Sequence, residues 1–169
     1  MFQSVENDTY TSEIADDMTV KSETILLDLD TTSLLTLTQL NANNLAQQHA
    51  VDETFIEEVI TSPALPLVDG IWLTDALVGN QKNALAFSRA KNVFHNNGKA
   101  VLGVLTISAI DDQINSLLSR LLAPEVQNAL LFGNIHDILN ALNGNHSPLA
   151  QPQSAVKNKQ NLQTGLGEE

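Results

Sequence analysis

Two stretches in the middle of the chain place residues at alternating three- and four-residue steps, and this spacing constrains the fold most. In an α-helix such steps align side chains in one stripe, as in a coiled-coil seam. The first seam contains Leu73, Leu77, Asn80, Ala84, Phe87, Lys91 and Phe94. The second contains Ala100, Gly103, Ile107, Ile110, Ile114, Leu117 and Leu121. The spacing predicts helices over about 67–96 and 99–122. The short turn at Asn97-Gly98 predicts that they are antiparallel.

Weaker patterns precede the two seams. The order Leu27-Asp28-Leu29-Asp30 alternates like a short strand, whereas the leucines after Ser33 recur at helical spacing towards Gln48. The sequence leaves strand and helix open between Thr24 and Gln48. Further along, Asp52 predicts the cap of a short amphipathic helix that ends before Pro63.

A third long helix is predicted over about 124–143. Pro124 suits the first position of a helix, and Asn143-Gly144-Asn145 predicts its end. Together the patterns predict a mainly α fold, an antiparallel helical hairpin or bundle. Its parts are a disordered acidic N-terminal arm (1–21), an acidic, weakly helical segment (22–62), a helical core (63–145) and a flexible C-terminal tail (146–169).

The charge balance limits the partners that the chain can bind. The 169 residues contain 8 Lys and Arg against 20 Asp and Glu, and residues 1–62 contain Lys21 as their only base. Phosphate backbones and anionic lipid surfaces are bound through many basic contacts, so we expect no nucleic-acid partner. The apolar stretch Ala100–Ile110 is about half the ~20 residues of a spanning helix, which predicts no stable membrane insertion. Without a secretory signal pattern, we expect a cytoplasmic location.

No pattern in the sequence indicates an active site. There is no Cys, and the histidines His49, His95, His136 and His146 have no metal-ligand spacing. The acidic pairs at Asp28 and Asp30 and at Asp111 and Asp112 are typical of solvated carboxylates. We find no phosphate-binding glycine loop. The sequence therefore predicts a protein that is not an enzyme and binds no cofactor and no metal.

The seams predict contacts between helices, either within the chain or with other chains. Trp72 is a candidate packing anchor or interface contact, and Asn80, Asn83 and Asn92 either lie in a seam or face solvent. The candidate interface residues are Trp72, Asn80, Asn83, Ala84, Phe87, Asn92, Gly103, Ile107, Ile110 and Ile114.

Several short motifs between about residues 60 and 112 resemble the Reb (killing trait) family, whose members build bacterial R-bodies. They are Pro63-Ala64, Gly70-Ile71-Trp72, Asn83-Ala84, Asn92 and Gly103-Val104-Leu105-Thr106. The resemblance implies a non-enzymatic structural subunit that self-assembles into R-body-like ribbons, with a response to pH. Its partners would be further copies of the chain and related Reb-like subunits. The alternative is a small helical adaptor or antagonist that binds one protein partner.

Overall fold

The computed structural model describes residues 19–145, which form a five-stranded mixed sheet with helices on both faces. The strands are β1 (Ile25–Leu29), β2 (Leu65–Val68), β3 (Gly70–Asp75), β4 (Ala84–Asn96) and β5 (Lys99–Ser108). The α-helices are α1 (Leu34–Gln47), α2 (Glu53–Val59), α3 (Asn115–Arg120), α4 (Pro124–Phe132) and α5 (Ile135–Asn143). Two 3₁₀ turns, Ser22–Thr24 and Asp112–Ile114, precede β1 and α3.

The order of the strands across the sheet is β1-β4-β5-β3-β2. β1 pairs with β4 and β3 pairs with β5 in parallel, whereas the pairs β4–β5 and β2–β3 are antiparallel. The carboxyl ends of β3 and β5 therefore lie at the same edge of the sheet as the amino ends of β1 and β4. The loops that follow β3 and β5 therefore meet the segments that precede β1 and β4 at this edge.

Each face of the sheet packs against a separate set of helices. On one face, Leu45 of α1 and Phe55 of α2 are fully buried in a cluster that includes Ala86 of β4. On the other face, Phe87 of β4 packs in a larger cluster with residues of α3, α4 and α5, among them Leu130. Successive residues of β4 thus point to opposite cores, as the pleat of a strand requires.

The predicted mainly α fold is wrong, because the sheet occupies the region where two long helices were expected. β2, β3 and β4 fall within the range 67–96 or just before it, and β5 lies within 99–122. A strand that is buried on both faces is apolar at nearly every position, so steps of three and four can be found in it by chance. Asn97 and Gly98 have φ angles of 53° and 79° and form the turn of the β4–β5 hairpin. Asn-Gly is a strong hairpin signal, and the sequence interpretation took it for the end of a helix.

Outside the two expected helices 67–96 and 99–122, the local patterns predicted the secondary structure more accurately. The open stretch from Thr24 to Gln48 contains both alternatives, the strand β1 and then the helix α1 with Ser33 as its cap. Asp52 caps α2 as expected. Pro124 starts α4, but Gly133 ends it, so that the predicted third helix is two helices. The division of the chain into four segments stays a prediction, and the arm and the tail lie outside the described residues except for 19–21.

A buried polar network joins α1 to the middle of the sheet. The amide nitrogen of Asn41 donates to the carbonyl of Val104 at 2.8 Å and to the hydroxyl of Thr106 at 3.0 Å. Its amide oxygen accepts a hydrogen bond from the hydroxyl of Ser88, and the hydroxyls of Thr74 and Thr106 are 2.7 Å apart. All four side chains are buried, and their polar groups satisfy one another.

We expect Asn41→Ala to lower the free energy of unfolding by about 2–4 kcal/mol, because the hydroxyls of Ser88 and Thr106 and the Val104 carbonyl lose a buried partner. Urea unfolding followed by circular dichroism measures the loss. Asn43→Ala, an exposed position of the same helix, is the control and should change stability by less than about 0.5 kcal/mol. Equal effects of the two variants would contradict the structural role of the network.

Candidate functional site

The loops that follow β3 and β5 meet at one edge of the sheet. The two strands are parallel neighbours, and Asp75 at the end of β3 pairs with Ile107 near the end of β5. We call the surface formed by Asp75, the loop 76–83 and the loop 109–113 the carboxyl edge. In open α/β sheets, binding sites form outside the carboxyl ends of the strands. The carboxyl edge is therefore the first place to look for a functional surface.

Asn83 holds the two loops of the carboxyl edge together. Its amide nitrogen donates to a carboxylate oxygen of Asp111 at 2.6 Å, and its amide oxygen accepts from the backbone nitrogen of Ile110 at 2.7 Å. The same oxygen of Asp111 accepts from the backbone nitrogen of Gln113 at 3.0 Å. Asn83 is buried, and these bonds fix the conformation of both loops.

The start of α2 forms hydrogen bonds with the loop 76–83. The backbone nitrogen of Asp52 donates to the carbonyl of Gly79 at 2.9 Å, and the side chain of Gln81 donates to the Asp52 carboxylate at 3.2 Å. Gly79 has a φ of 79°, and a Cβ there would lie 2.5 Å from the backbone nitrogen of Phe55. Glycine is required at this position both for the conformation and for the close approach of α2.

Hydrogen bonds lower the pKa of the Asp52 carboxyl below its ordinary value. The largest cause is the hydroxyl of Thr54, which donates to the carboxylate; the backbone nitrogens of Phe55 and Thr54 and the side chain of Gln81 act in the same direction. Burial opposes them only in part. These donors stabilise the charged form, so Asp52 is an ionised helix cap at neutral pH.

The ordered loops of the carboxyl edge expose apolar side chains. Leu77 is 92% exposed, Ile110 is 54% exposed and Val78 is 47% exposed. Asp75 is exposed beside them at the end of β3. Large apolar side chains on a surface that hydrogen bonds hold in place are typical of a contact with another protein.

The three histidines in the described part of the chain are all exposed. His49 follows α1 with a φ of 61° and lies beside the carboxyl edge, because the neighbouring Ala50 carbonyl accepts from the backbone nitrogens of Gln81 and Lys82. His95 is near the end of β4, at the opposite edge, and His136 is on α5. Between residues 19 and 145, no group of three or more His, Cys, Asp and Glu residues is placed to hold a metal ion.

The predicted interface residues do not form one surface. Trp72, Asn83, Phe87, Gly103, Ile107 and Ile114 are buried within the chain, Asn80 and Ala84 are half-buried, and Asn92 and Ile110 are exposed.

Several of these residues form hydrogen bonds or packing contacts within the fold. The indole nitrogen of Trp72 donates to the carbonyl of Ala100 at 2.9 Å, and the amide of Asn80 donates to the carbonyl of Ala76 at 3.1 Å. A Cβ on Gly103 would lie 2.7 Å from the ring of Phe87, so this glycine makes room for a core residue. An interface role of the ten residues stays a prediction, although the helical seams from which it was inferred are not present.

The sequence interpretation missed the carboxyl edge. Its residues come from loops that are 33 positions apart at Leu77 and Ile110, and only the parallel pairing of β3 with β5 brings them together. The available signal was the Asn97-Gly98 turn between two apolar runs, which predicts the β4–β5 hairpin and therefore strands in this region.

Comparison with known proteins supports the α/β fold. No protein-family model matches the chain. The chain is 55% identical to a multiphosphoryl transfer protein of Haemophilus influenzae over 135 residues, which are 80% of this chain and 27% of that protein. It is 33% identical to a multiphosphoryl transfer protein of Escherichia coli O157:H7 over 159 residues, 90% of this chain and 42% of that protein. The chain thus spans less than half the length of these relatives.

Solved enzyme IIA structures share the fold. The mannitol-specific cryptic phosphotransferase enzyme IIA of Escherichia coli has a TM-score of 0.64 at 15% identity, covering 77% of this chain and 98% of that one. Enzyme IIA-Mtl of Escherichia coli, in its complex with phosphorylated enzyme IIB-Mtl, has a TM-score of 0.62 at 15% identity, covering 74% and 97%. The chain has the fold of these enzyme IIA proteins.

The resemblance to the Reb family is therefore wrong, because the similar proteins are multiphosphoryl transfer proteins and the motifs lie on strands or in loops instead of on helices. The same findings contradict the functions predicted from the sequence. These were a ribbon subunit that self-assembles with Reb-like partners and, as the alternative, a helical adaptor or antagonist. None of the helices between residues 19 and 145 has both the length and the apolar character needed to cross a lipid bilayer.

We expect Gly79→Ala to lower the free energy of unfolding by about 2–3 kcal/mol, since the added Cβ is strained at positive φ and meets the backbone of α2. Gly98→Ala is a matched control, because Gly98 has the same φ of 79° and open space around it. This variant should lower the free energy of unfolding only by the conformational strain, about 1 kcal/mol. Losses of the same size in urea unfolding would show that the contact with α2 is unimportant.

We expect Thr54→Val to raise the pKa of Asp52 towards its ordinary value, because the variant removes the largest stabilising hydrogen bond. When the pKa of a carboxyl is lower in the folded state than in the unfolded state, the carboxyl stabilises the fold at pH values above its unfolded pKa. This contribution is lost as the pH falls below about 4. The variant should therefore show a weaker dependence of stability on pH in that range. Carbon-13 NMR titration of the Asp52 carboxyl measures the shift; Thr61→Val, whose hydroxyl instead donates to the Glu58 carbonyl, should leave it unchanged.

Proposed function

We propose that the chain is an enzyme IIA-like docking domain of a multiphosphoryl transfer protein, and that its carboxyl edge docks an enzyme IIB-like domain. The observation that carries the proposal is the set of exposed apolar side chains, Leu77, Val78 and Ile110, on two loops held together by Asn83. The similarity to multiphosphoryl transfer proteins and the fold of an enzyme IIA that forms a complex with enzyme IIB support the choice of partner.

In this proposal the chain docks the partner but does not itself hold the phosphoryl group. A phosphoryl group on a protein is carried by a nucleophile such as His or Asp, and cations or backbone donors stabilise its charge during transfer. Asp111 is engaged by Asn83 and by the turn before α3, and the exposed His49 lies beside the carboxyl edge, outside its two loops. Asp75 and Asp112 add negative charge that repels a phosphoryl dianion. The prediction that the chain is not an enzyme in its own right belongs to this proposal, as does the cytoplasmic location.

We expect Leu77→Asp and Ile110→Asp each to weaken binding of an enzyme IIB-like domain by at least about tenfold, because each variant adds a charge to the apolar contact. Isothermal titration calorimetry with the full chain measures the affinity. Leu122→Asp is the matched control, since Leu122 is 71% exposed and lies outside the carboxyl edge. Unchanged affinity in both edge variants would contradict docking at this surface.

The phosphoryl part of the proposal has a separate test. The chain is incubated with the phosphorylated partner, and phosphorus-31 NMR then detects any phosphoryl group bound to the chain. We expect none. A bound phosphoryl group that disappears in His49→Gln or in Asp75→Asn would show that the chain is itself a carrier, whatever the docking result.

A further inference from the structure

A pocket of about 110 Å³ lies at the amino ends of β1 and β4. The segment before β1, the last turn of α1, the start of β4 and the helix α3 form its walls. Asn83 lines the pocket as well as the carboxyl edge, but Leu77, Val78 and Ile110 do not line it. The pocket is thus a second feature of the same region, which shares Lys82 and Asn83 with the carboxyl edge but none of its three exposed apolar side chains.

The rim of this pocket carries positive charge. Lys21 and Lys82 line it, and none of the described residues that line it is acidic. This differs from the rest of the chain, since residues 19–145 contain thirteen acidic residues and six Lys and Arg. Neither ammonium group has a hydrogen bond or ion pair with another residue of the described part. Within residues 19–145, neither charge is thus paired with a carboxylate.

Hydrogen bonds hold the backbone at both lysines. The residue before Lys21, Val20, is paired with the side chain of Asn143, which donates to its carbonyl at 2.9 Å and accepts from its nitrogen at 2.8 Å. The carbonyl of Lys82 accepts from the hydroxyl of Ser108 at 2.8 Å. The backbone next to Lys21 is thus bonded to α5, and the backbone of Lys82 is bonded to β5.

The floor of the pocket is apolar. Leu45, Leu85, Ile114 and Leu117 are buried and line it. Lysine binds phosphate well as a point charge, whereas carboxylates are matched best by the planar guanidinium of arginine. A pocket of about 110 Å³ suits a small ligand, and the two lysines suit an anionic one. We propose that this pocket binds a small phosphate monoester, with the phosphate between Lys21 and Lys82 and the carbon chain on the apolar floor.

Nitrogen-15 NMR of the full chain tests the proposal with propyl phosphate as the probe. We expect saturable shifts confined to amides around the pocket, such as those of Lys21 and Ala84. Inorganic phosphate should bind more weakly by about fourfold for each CH₂ group that the floor buries. Butyrate, a carboxylate of similar length, should also bind more weakly. Leu77→Asp should bind propyl phosphate like the unaltered chain, which keeps this test independent of the docking proposal.

The double variant Lys21→Met with Lys82→Met should weaken binding of propyl phosphate by at least about tenfold, because it removes both charges. Lys91→Met with Lys99→Met is the matched control, since both residues are exposed and lie outside the pocket. All four lysines are exposed, so folding should persist, which the spectra verify. Absence of localised shifts, equal weakening in the control, or butyrate binding as tightly as propyl phosphate would overturn the proposal.

Discussion

The hydrogen bonds of Asn41 allow the centre of the sheet to be buried beneath α1. A sheet with helices on both faces has no access to water, so each polar side chain within it needs a protein partner. Asn41 supplies both the donor and the acceptor that Ser88, Thr106 and the carbonyl of Val104 require. With this network satisfied, α1 packs on β4 and β5, and its last turn reaches the edge where the loops meet.

The arginines have a comparable role on the other face. Arg89 of β4 donates to the carbonyls of Leu130 and Gly133 at 2.9 and 2.8 Å, at the end of α4. Arg120 donates to the carbonyl of Leu142 at 2.7 Å, near the end of α5. A cation at the end of a helix satisfies free carbonyls and complements the helix dipole. Burial lowers the pKa of Arg89, and the charge of Asp28 opposes this effect; a guanidinium stays protonated at neutral pH.

These contacts leave two different surfaces at one edge of the sheet. The carboxyl edge exposes Leu77 and Ile110 next to carboxylates, which suits a protein partner and disfavours a phosphoryl group. The pocket beside it has Lys21 and Lys82 on its rim, which suits an anion. The two surfaces are neighbours because of the mixed topology: β3 and β5 end where β1 and β4 begin, and the loop 76–83, which connects β3 to β4, contributes to both.

Local patterns predicted the elements whose stabilising contacts are local. The cap at Asp52, the helix start at Pro124 and the left-handed end at Gly144 depend on neighbouring residues, so the sequence by itself determined them. The excess of acidic over basic residues and the absence of cysteine also follow from the sequence alone. The sheet was missed because burial on both faces removes the alternation that marks a strand, and the spacing that remained was attributed to helices. Only the tertiary structure decided the carboxyl edge and the lysine pocket, because pairing between strands distant in sequence places their residues side by side.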